Sequence, residues 1–272
     1  MKNWLQGKTV VLTGASSGIG KELCVLLIER YGANVIGVGR SEEKMLALKN
    51  RLQDRTGQFS YRLFDVACQG AWEMFAKELQ DQNIRVTLLI HNAGVFPTFQ
   101  RVEDTSVNTI QTVMQTNFYS AVSGNQALMR QIWDVENGGI VHISSSAVLC
   151  TIVGTAAYSS SKSALKSYVE ALALENKGKY VGIMYPGTTK TELFRNDEQT
   201  KDSALDKIAM PAEKMAKKIA KTIYKRKKRA IVGWDAKMMN FTAKIMPKKG
   251  PALICSVMKK AKSKVFKNVF KD

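Results

Sequence analysis

Short apolar runs recur along most of the 272-residue chain and alternate with amphipathic segments. The runs are five to seven residues long and many are rich in valine, isoleucine and leucine, which is typical of strands that are buried on both faces. This pattern predicts strands at residues 8–12, 34–39, 60–66, 85–91, 139–143, 180–185 and 230–234.

The segments between these strands carry helical periodicity. The predicted helices include residues 70–82, 106–132 and 156–176, and a further helix follows Pro211. Strands that alternate with helices form a parallel sheet covered on both faces. We therefore predict an α/β fold with a single Rossmann-type, doubly wound parallel sheet of about seven strands and helices on both faces.

The last quarter of the chain has a different pattern. We expect residues 1–235 to form one domain, with a mobile lid at about 188–210, and residues 236–272 to form a basic, amphipathic, helical C-terminal extension. The apolar positions of its two helical patterns are Met238, Phe241, Ile245 and Met246, and then, after Pro251, Ile254, Val257, Met258, Ala261, Val265 and Val269.

A glycine-rich loop joins the first predicted strand to the first helix. Residues 13–20 read Thr-Gly-Ala-Ser-Ser-Gly-Ile-Gly. Glycine lets the backbone approach a pyrophosphate, and a helix N-terminus directs free N–H groups and a positive dipole end at it. The loop therefore predicts a dinucleotide site, although its spacing is GxxxGxG and a tight structural turn is the alternative.

The end of the second strand indicates which dinucleotide binds. A free ribose 2′-hydroxyl usually meets an acidic residue about 20 residues beyond the loop. Here the strand ends with Arg40 and Ser41, which can bind a 2′-phosphate, so we predict NADP(H). Arg40 as a solvated residue and Ser41 as the cap of the next helix are the alternative, and Ser41 can do both.

Tyr158 and Lys162 are four residues apart on a predicted helix and therefore share one face. An ammonium group beside a phenol favours the phenolate and lowers its pKa from about 10. The pair can therefore act as a general acid/base towards an oxygen. Ser144, Ser145 and Ser146, at the end of the fifth strand, supply hydroxyl groups for the same oxygen. Alone, the pair also fits a packed tyrosine beside a solvated lysine.

Together, these motifs make the chain resemble the short-chain dehydrogenase/reductase family over about residues 6–192. In chain order they are Thr13-Gly14-x-x-x-Gly18-Ile19-Gly20, Asp65, Asn92-Ala93-Gly94, Asn117, Ser145, Tyr158-x-x-x-Lys162 and Pro186-Gly187. The family places its serine thirteen residues before the tyrosine, which selects Ser145. The resemblance implies hydride transfer between C4 of a nicotinamide and a carbonyl or alcohol carbon.

The resemblance also implies roles for individual residues. Tyr158 would exchange the proton, Ser145 would hydrogen-bond the substrate oxygen, Lys162 would bind the nicotinamide ribose, and Asn117 would hold a water that links Lys162 to solvent. The predicted cofactor-binding set comprises Gly14, Ser16, Ser17, Gly18, Ile19, Gly20, Arg40, Ser41, Asp65, Val66, Asn92, Ala93, Gly94, Tyr158, Lys162, Pro186, Gly187, Thr189 and Thr191. The choice between Thr189 and Thr191 for the carboxamide stays open.

The loops expected to face the substrate are apolar. They comprise residues 95–97 and 147–154, and neither contains an arginine or a histidine to bind a small acid. We therefore predict a lipophilic alcohol or ketone such as a steroid, a bile acid or a long-chain 3-keto lipid. Packing of these side chains against each other is the alternative. A rival function is a non-catalytic dinucleotide sensor or scaffold with the same fold.

The net charge of +18 is concentrated after residue 200. Of 41 lysine and arginine residues, 21 follow residue 200, whereas only 5 of the 23 acidic residues do, so this part carries +16. A basic amphipathic helix can lie on an anionic membrane or meet nucleic acid. We predict peripheral contact with an anionic membrane rather than nucleic acid, with packing on the body of the protein or on a second subunit as the alternative. By analogy with the family, a homodimer or homotetramer is expected.

The remaining composition excludes several classes. Cys24, Cys68, Cys150 and Cys255 show no paired spacing, which predicts a reducing, cytoplasmic setting without a disulfide frame or a metal site. His91 and His142 border apolar runs and are expected to be structural. No run of 18 apolar residues predicts a membrane span, and a strand within the first ten residues argues against a secretory signal.

Overall fold

A parallel sheet forms the centre of the protein. The structure is a computed structural model that describes residues 3–53, 55, 57–194, 207–260 and 266–270. Its strands are β1 (Thr9–Thr13), β2 (Asn34–Gly39), β3 (Phe59–Leu63), β4 (Val86–His91), β5 (Gly139–Ile143), β6 (Tyr180–Pro186), β7 (Thr189–Lys190), β8 (Met210–Pro211) and β9 (Arg229–Val232).

The main sheet has seven strands in the order β3-β2-β1-β4-β5-β6-β9, and all its neighbours run parallel. The chain builds outward from β1 to β3 and then returns to place β4 on the other side of β1. In such sheets, ligands bind beyond the carboxyl ends of the strands, at the point where the order reverses. This point lies between β1 and β4.

Helices cover the sheet. They are α1 (Gly18–Glu29), α2 (Glu42–Arg51), α3 (Gln69–Asp81), α4 (Val107–Met114), α5 (Ser120–Trp133), α6 (Ala156–Glu175), α7 (Ala212–Tyr224), α8 (Trp234–Ile245) and α9 (Gly250–Lys260). A π-helical segment, Gln115–Tyr119, joins α4 to α5, so the predicted helix over 106–132 is one rod with a widened turn in the middle.

The two-residue period of β1 determines its core contacts. Val10 and Leu12 belong to a cluster with Leu27 of α1 and Ile219 of α7. Val11, on the other face, belongs to a cluster with apolar side chains of α3 and α5. Both faces of the sheet are therefore buried, and the prediction of a Rossmann-type α/β fold is confirmed.

Two predicted strand ends are wrong. The third strand ends at Leu63 rather than Val66, because the Asp65 carboxylate accepts a hydrogen bond from the Ala67 amide (3.0 Å) and forms a turn there. The seventh strand ends at Val232 rather than Trp234, because Gly233 adopts φ 116° and Trp234 begins α8.

The predicted lid and tail are only partly described. Lid residues 195–206, and Ala261 and Val265 of the tail, lie outside the described residues. The described flanks of the lid are joined by the pairing of β7 with β8. Within the described part of the chain, every helix is too short or too polar to cross a membrane.

Candidate active site

A cavity of about 380 Å³ opens at the carboxyl ends of the central strands. Its lining includes Gly14 after β1, Gly94 after β4, Ser145 after β5 and Gly187 after β6, together with Tyr158 from α6. The fold therefore brings together residues that are far apart in the chain, at the edge of the sheet where a ligand is expected.

The glycine loop forms one end of the cavity. Gly14 and Gly18 adopt left-handed conformations with φ 66° and φ 52°, which favour glycine. At Gly20, a Cβ atom would lie 2.1 Å from the carbonyl oxygen of Gly14, so the first turn of α1 packs directly on the loop. Because α1 begins at Gly18, its free N–H groups lie at the cavity.

Asn92 and Thr13 lock this loop to β4. The Thr13 hydroxyl accepts hydrogen bonds from the amides of Asn92 (2.9 Å) and Ala93 (3.0 Å). The Asn92 side-chain amide donates in return to the carbonyl of Thr13 (3.0 Å). Asn92 therefore lines the cavity while its amide group supports the loop.

Tyr158, Lys162 and Ser145 lie together at the other end of the cavity. Tyr158 is hydrogen-bonded to Ser145, and the Ser145 hydroxyl also accepts a hydrogen bond from the Ala147 amide (3.2 Å). Of the three neighbouring serines, Ser144 and Ser146 are buried and Ser145 is the more accessible one. The Lys162 ammonium donates to the carbonyl of Ile143 (3.1 Å).

Burial sets the protonation of these groups. Desolvation raises the pKa of Tyr158 above its ordinary value, and the hydrogen bond from Ser145 opposes this by a smaller amount. Desolvation lowers the pKa of Lys162 to about 8. The expected lowering of the Tyr158 pKa by Lys162 is therefore wrong for the protein alone, because burial of the phenol is the largest influence and raises its pKa. At neutral pH the phenol is protonated.

Asn117 lies behind Lys162, in the π-helical segment. Its side chain is buried and bonds both backbone groups of Val95, accepting from the amide (2.8 Å) and donating to the carbonyl (2.9 Å). It also donates to the Ser161 hydroxyl (3.0 Å). A Cβ atom at Gly94 would lie 3.2 Å from Asn117 Oδ1 and 3.4 Å from Lys162 Nζ, so Gly94 packs against both groups.

Arg40 lines the outer end of the cavity. Its guanidinium is exposed and lies 3.6 Å from the carboxylate of Asp65. An exposed pair at this distance contributes little stability, so Arg40 remains available to a phosphate. Ser41 caps α2 by accepting a hydrogen bond from the Lys44 amide (3.4 Å), as the alternative interpretation of this residue expected.

The loop after β6 is fixed by a residue that the sequence analysis missed. Asp235, buried at the start of α8, accepts a hydrogen bond from the Thr188 amide (2.6 Å), and a Cβ atom at Gly187 would clash with its carboxylate. Thr189 and Thr191 both line the cavity. The Thr189 hydroxyl donates to the Gly187 carbonyl (2.9 Å), and the Thr191 side chain packs against Gly18.

The structure separates the predicted site residues into two groups. Most of the predicted residues line the described cavity, whereas the described lining does not include Ser16, Gly20, Ser41, Asp65, Val66 and Asn117. Lining residues that the prediction did not include are Phe99, Ile143, Thr155, Thr188, Glu192, Leu193 and Met239. Phe99 continues an apolar run that the sequence shows, whereas no local pattern marks Met239 or Asp235. Glu192 is exposed and also lines the cavity, and its carboxylate pairs with Lys44 (2.5 Å).

The two histidines form a buried pair between the sheet and α5. The rings of His91 and His142 stack with centroids 4.9 Å apart, and Asn125 bonds both rings at 2.9 and 3.2 Å. Burial lowers the pKa of His91 to about 4 and the pKa of His142 well below its ordinary value. Both rings are therefore neutral at physiological pH and pack as part of the core.

Comparison with known proteins gives consistent matches. The sequence model described as short chain dehydrogenase matches residues 8–202. A 3-ketodihydrosphingosine reductase from Bos taurus is 31% identical over 87% of this chain and 74% of its own length. A dehydrogenase/reductase SDR family member 7B from Danio rerio is 30% identical over 84% and 78%.

A solved structure is similar over most of the chain. The crystal structure of a short chain dehydrogenase from Shigella flexneri 2a str. 301, complexed with NADP, superposes with a TM-score of 0.75 at 26% identity. The match covers 87% of this chain and 100% of that chain. The family model's residues 8–202 include the glycine loop and the helix of Tyr158, so sequence and architecture point to the same family.

Proposed function

Because the chain belongs to the short chain dehydrogenase family, we propose that it is an NADP(H)-dependent oxidoreductase that interconverts a ketone and a secondary alcohol on a lipophilic substrate. A long-chain 3-keto lipid is the preferred substrate class, and a steroid or bile acid is the next. The grouping of Ser145, Tyr158 and Lys162 around one cavity favours an enzyme over a dinucleotide sensor, which has no need of a proton donor.

The apolar wall beside Tyr158 is the observation that carries the substrate class. Phe96, Phe99, Ala147, Ile152 and Met239 line this side of the cavity. The charged lining residues of the described chain are Arg40, Lys162 and Glu192, none of which belongs to this wall. An apolar wall binds alkyl or ring carbons by excluding water. The name of the bovine relative, a 3-ketodihydrosphingosine reductase, agrees with this substrate class.

The residues of the site have distinct roles in the proposed reaction. NADPH, when bound, supplies the hydride that adds to the carbonyl carbon. Tyr158 releases its phenolic proton to the carbonyl oxygen, and Ser145 donates a hydrogen bond to the same oxygen. Lys162 binds the nicotinamide ribose, and Asn117 supports the water path behind it. The raised pKa of Tyr158 keeps it protonated at neutral pH, which suits the reducing direction.

The cofactor preference rests on the charge at the outer end of the cavity. Arg40 follows β2, where NAD-binding proteins of this fold usually carry an acidic residue. Its guanidinium suits the two negative charges of a 2′-phosphate. The Shigella structure was determined with NADP bound, which supports the same choice. The glycine loop and the start of α1 take the pyrophosphate.

The experiment is a measurement of NADPH oxidation against 3-keto lipids, steroids, bile-acid ketones and short ketones, with NADH in parallel. We expect turnover with the 3-keto lipids and a strong preference for NADPH. The Tyr158→Phe variant should bind NADPH as the parent does and lose turnover by at least about 100-fold. Binding of NADPH without turnover of any ketone by the parent would support the sensor instead.

We further propose that the C-terminal helices contact an anionic membrane, in keeping with a cytoplasmic, membrane-peripheral protein and a lipophilic substrate. Within the 236–272 extension, α8 and α9 make this contact. The apolar residues Trp234, Phe241, Ile245, Leu253 and Val257 of α8 and α9 are each at least half exposed. The flanking basic residues are Lys237, Lys244, Lys248, Lys249, Lys259 and Lys260. Exposed apolar side chains flanked by lysines suit an anionic bilayer surface.

Cosedimentation with liposomes tests the membrane contact. The Phe241→Ser/Ile245→Ser variant should lose binding to anionic vesicles, and binding by the parent should weaken with added salt. The Met74→Ser/Leu174→Ser variant is the control, because it removes apolar side chains exposed elsewhere. If the parent does not bind vesicles and the first variant instead lowers the molar mass in solution, the surface is an interface of the expected homodimer or homotetramer.

A further inference from the structure

The end of the chain packs against the loops that form the apolar wall. Phe266 and Val269 are buried, although they lie more than 60 residues beyond the part that the family model matches. They form one cluster with Phe99, and partly buried side chains that join it include Phe96 and Ile152. A C-terminal segment, Phe266–Phe270, therefore covers the substrate side of the site.

The contacts run without interruption from this segment to the reacting group. The Phe266 ring lies 4.8 Å from the Phe99 ring, measured between centroids, and Phe99 lies 4.8 Å from Phe96. The Phe96 ring in turn meets Tyr158 edge-on at 5.0 Å. Such tilted and edge-on arrangements are favourable for aromatic rings. A side chain at the end of the chain is thereby linked to the catalytic tyrosine through two rings.

Val269 makes a second contact with the wall. It packs on Gly154, where a Cβ atom would lie 2.7 Å from Val269 Cγ2. Gly154 adopts a left-handed conformation with φ 80°, and its carbonyl accepts a hydrogen bond from the Gln100 amide (3.1 Å). The two substrate-side loops are thus joined to each other at the position that Val269 covers.

The segment supports the wall from behind. Phe96, Phe99 and Ile152 line the cavity, whereas the described lining does not include Phe266 or Val269. These three wall residues lie in loops, outside the helices and strands, so side-chain packing must hold their positions. Without Phe266, the Phe99 ring would lose the partner on its outer side and would be free to move into or out of the cavity.

We propose that the Phe266–Phe270 segment positions Phe99 and Phe96 and so determines the preference of the enzyme for long apolar substrates. This inference rests on the proposed function, because it assigns a chain-binding role to the wall of the same site. Phe266 and Val269 are positioning residues, since they act through the wall residues that contact the substrate. The C-terminal extension then helps to determine which substrates the site accepts.

The test compares substrates of different length. The Phe266→Ala/Val269→Ala variant should raise KM about tenfold for a ketone of about 14 carbons and leave KM within about twofold for one of about 6 carbons. The kcat values and NADPH affinity should stay near those of the parent. A Phe266→Leu variant should have a KM for the longer ketone close to that of the parent, because leucine fills most of the volume behind Phe99. The control is Lys267→Ala/Asn268→Ala, which changes exposed side chains of the same segment.

The outcomes separate this inference from the proposed function. An equal KM increase at every chain length, or no increase in a folded variant, overturns the positioning role. If the parent reduces no ketone, the proposed function fails and the inference is judged by binding. The affinity of the NADPH complex for primary alcohols of about 6 and 14 carbons is then measured by calorimetry. The inference is supported if the affinity rises from the shorter to the longer alcohol in the parent and not in the double variant. It is overturned if the affinity changes with chain length in the same way in both proteins.

Discussion

The ammonium group of Lys162 lies 3.1 Å from the carbonyl oxygen of Ile143, at the end of β5, and has its pKa lowered to about 8 by burial. A lysine in this state changes charge within the pH range of an ordinary assay. Its neighbour Tyr158 does not, because burial raises the pKa of the phenol. Burial therefore shifts the two pKa values in opposite directions, down for Lys162 and up for Tyr158.

We expect the pH dependence of ketone reduction to follow Lys162. Tyr158 stays protonated as the pH rises, so kcat/KM should be level below about pH 7 and should fall as Lys162 loses its charge through about 8. The measurement is kcat/KM from pH 6 to 10 with saturating NADPH. In the Lys162→Arg variant, whose side chain stays charged, the remaining activity should not fall near pH 8. A level profile for the parent would contradict this assignment.

Lys162 should also couple stability to pH. Its pKa is lower in the folded protein than the ordinary 10.5, so the unfolded chain binds more protons between about pH 8 and 10.5, and stability rises with pH across this window. Below about pH 8 the buried, charged Lys162 lowers the free energy of unfolding by its full cost, about 3 kcal/mol. The Lys162→Met variant lacks this cost, so its free energy of unfolding should exceed that of the parent by less at pH 10.5 than at pH 7. Denaturant unfolding measures it, and a difference independent of pH would be inconsistent with a charged, buried Lys162.

The Arg40–Asp65 pair should tune cofactor choice. Arg40→Ala should raise KM for NADPH at least about tenfold and leave KM for NADH nearly unchanged, because only NADPH carries the 2′-phosphate. Asp65→Asn should lower KM for NADPH, since it removes a competing carboxylate and keeps an oxygen for the Ala67 amide. Lys49→Ala, which removes an exposed cation from α2, is the control. Equal losses for both cofactors after Arg40→Ala would remove this residue from the 2′-phosphate site.

Gly20→Ala should disrupt the cofactor site by steric overlap. The added Cβ would lie 2.1 Å from the Gly14 carbonyl oxygen and 2.5 Å from the Asn92 amide nitrogen, so the loop must move away from α1. We expect a lower Tm and loss of NADPH binding, measured by fluorescence. Gly70→Ala is the matched control, because in the described chain no heavy atom beyond its own helical turn lies within 4 Å of the added Cβ. In α3 it should raise stability by up to about 1 kcal/mol. Unchanged NADPH affinity in Gly20→Ala would contradict the close packing.

Local sequence features were sufficient to identify the elements and many of the residues that line the cavity. The apolar runs mark the strands, the glycines with positive φ mark the loop before α1, and Tyr158 and Lys162 share a helix face because helical geometry requires it. Strand ends were less predictable. The turn at Asp65 and the left-handed Gly233 end strands whose apolar patterns continue further.

The sequence by itself determined the fold class and the family, because each depends on periodicity or on motifs within a few residues. The tertiary structure alone decided the protonation of Tyr158, the support of Gly187 by Asp235 and the packing of Phe266 on Phe99. The first depends on burial by the whole fold. The other two join residues that are distant in the chain, and no local pattern encodes contacts made only when the sheet and its helices assemble.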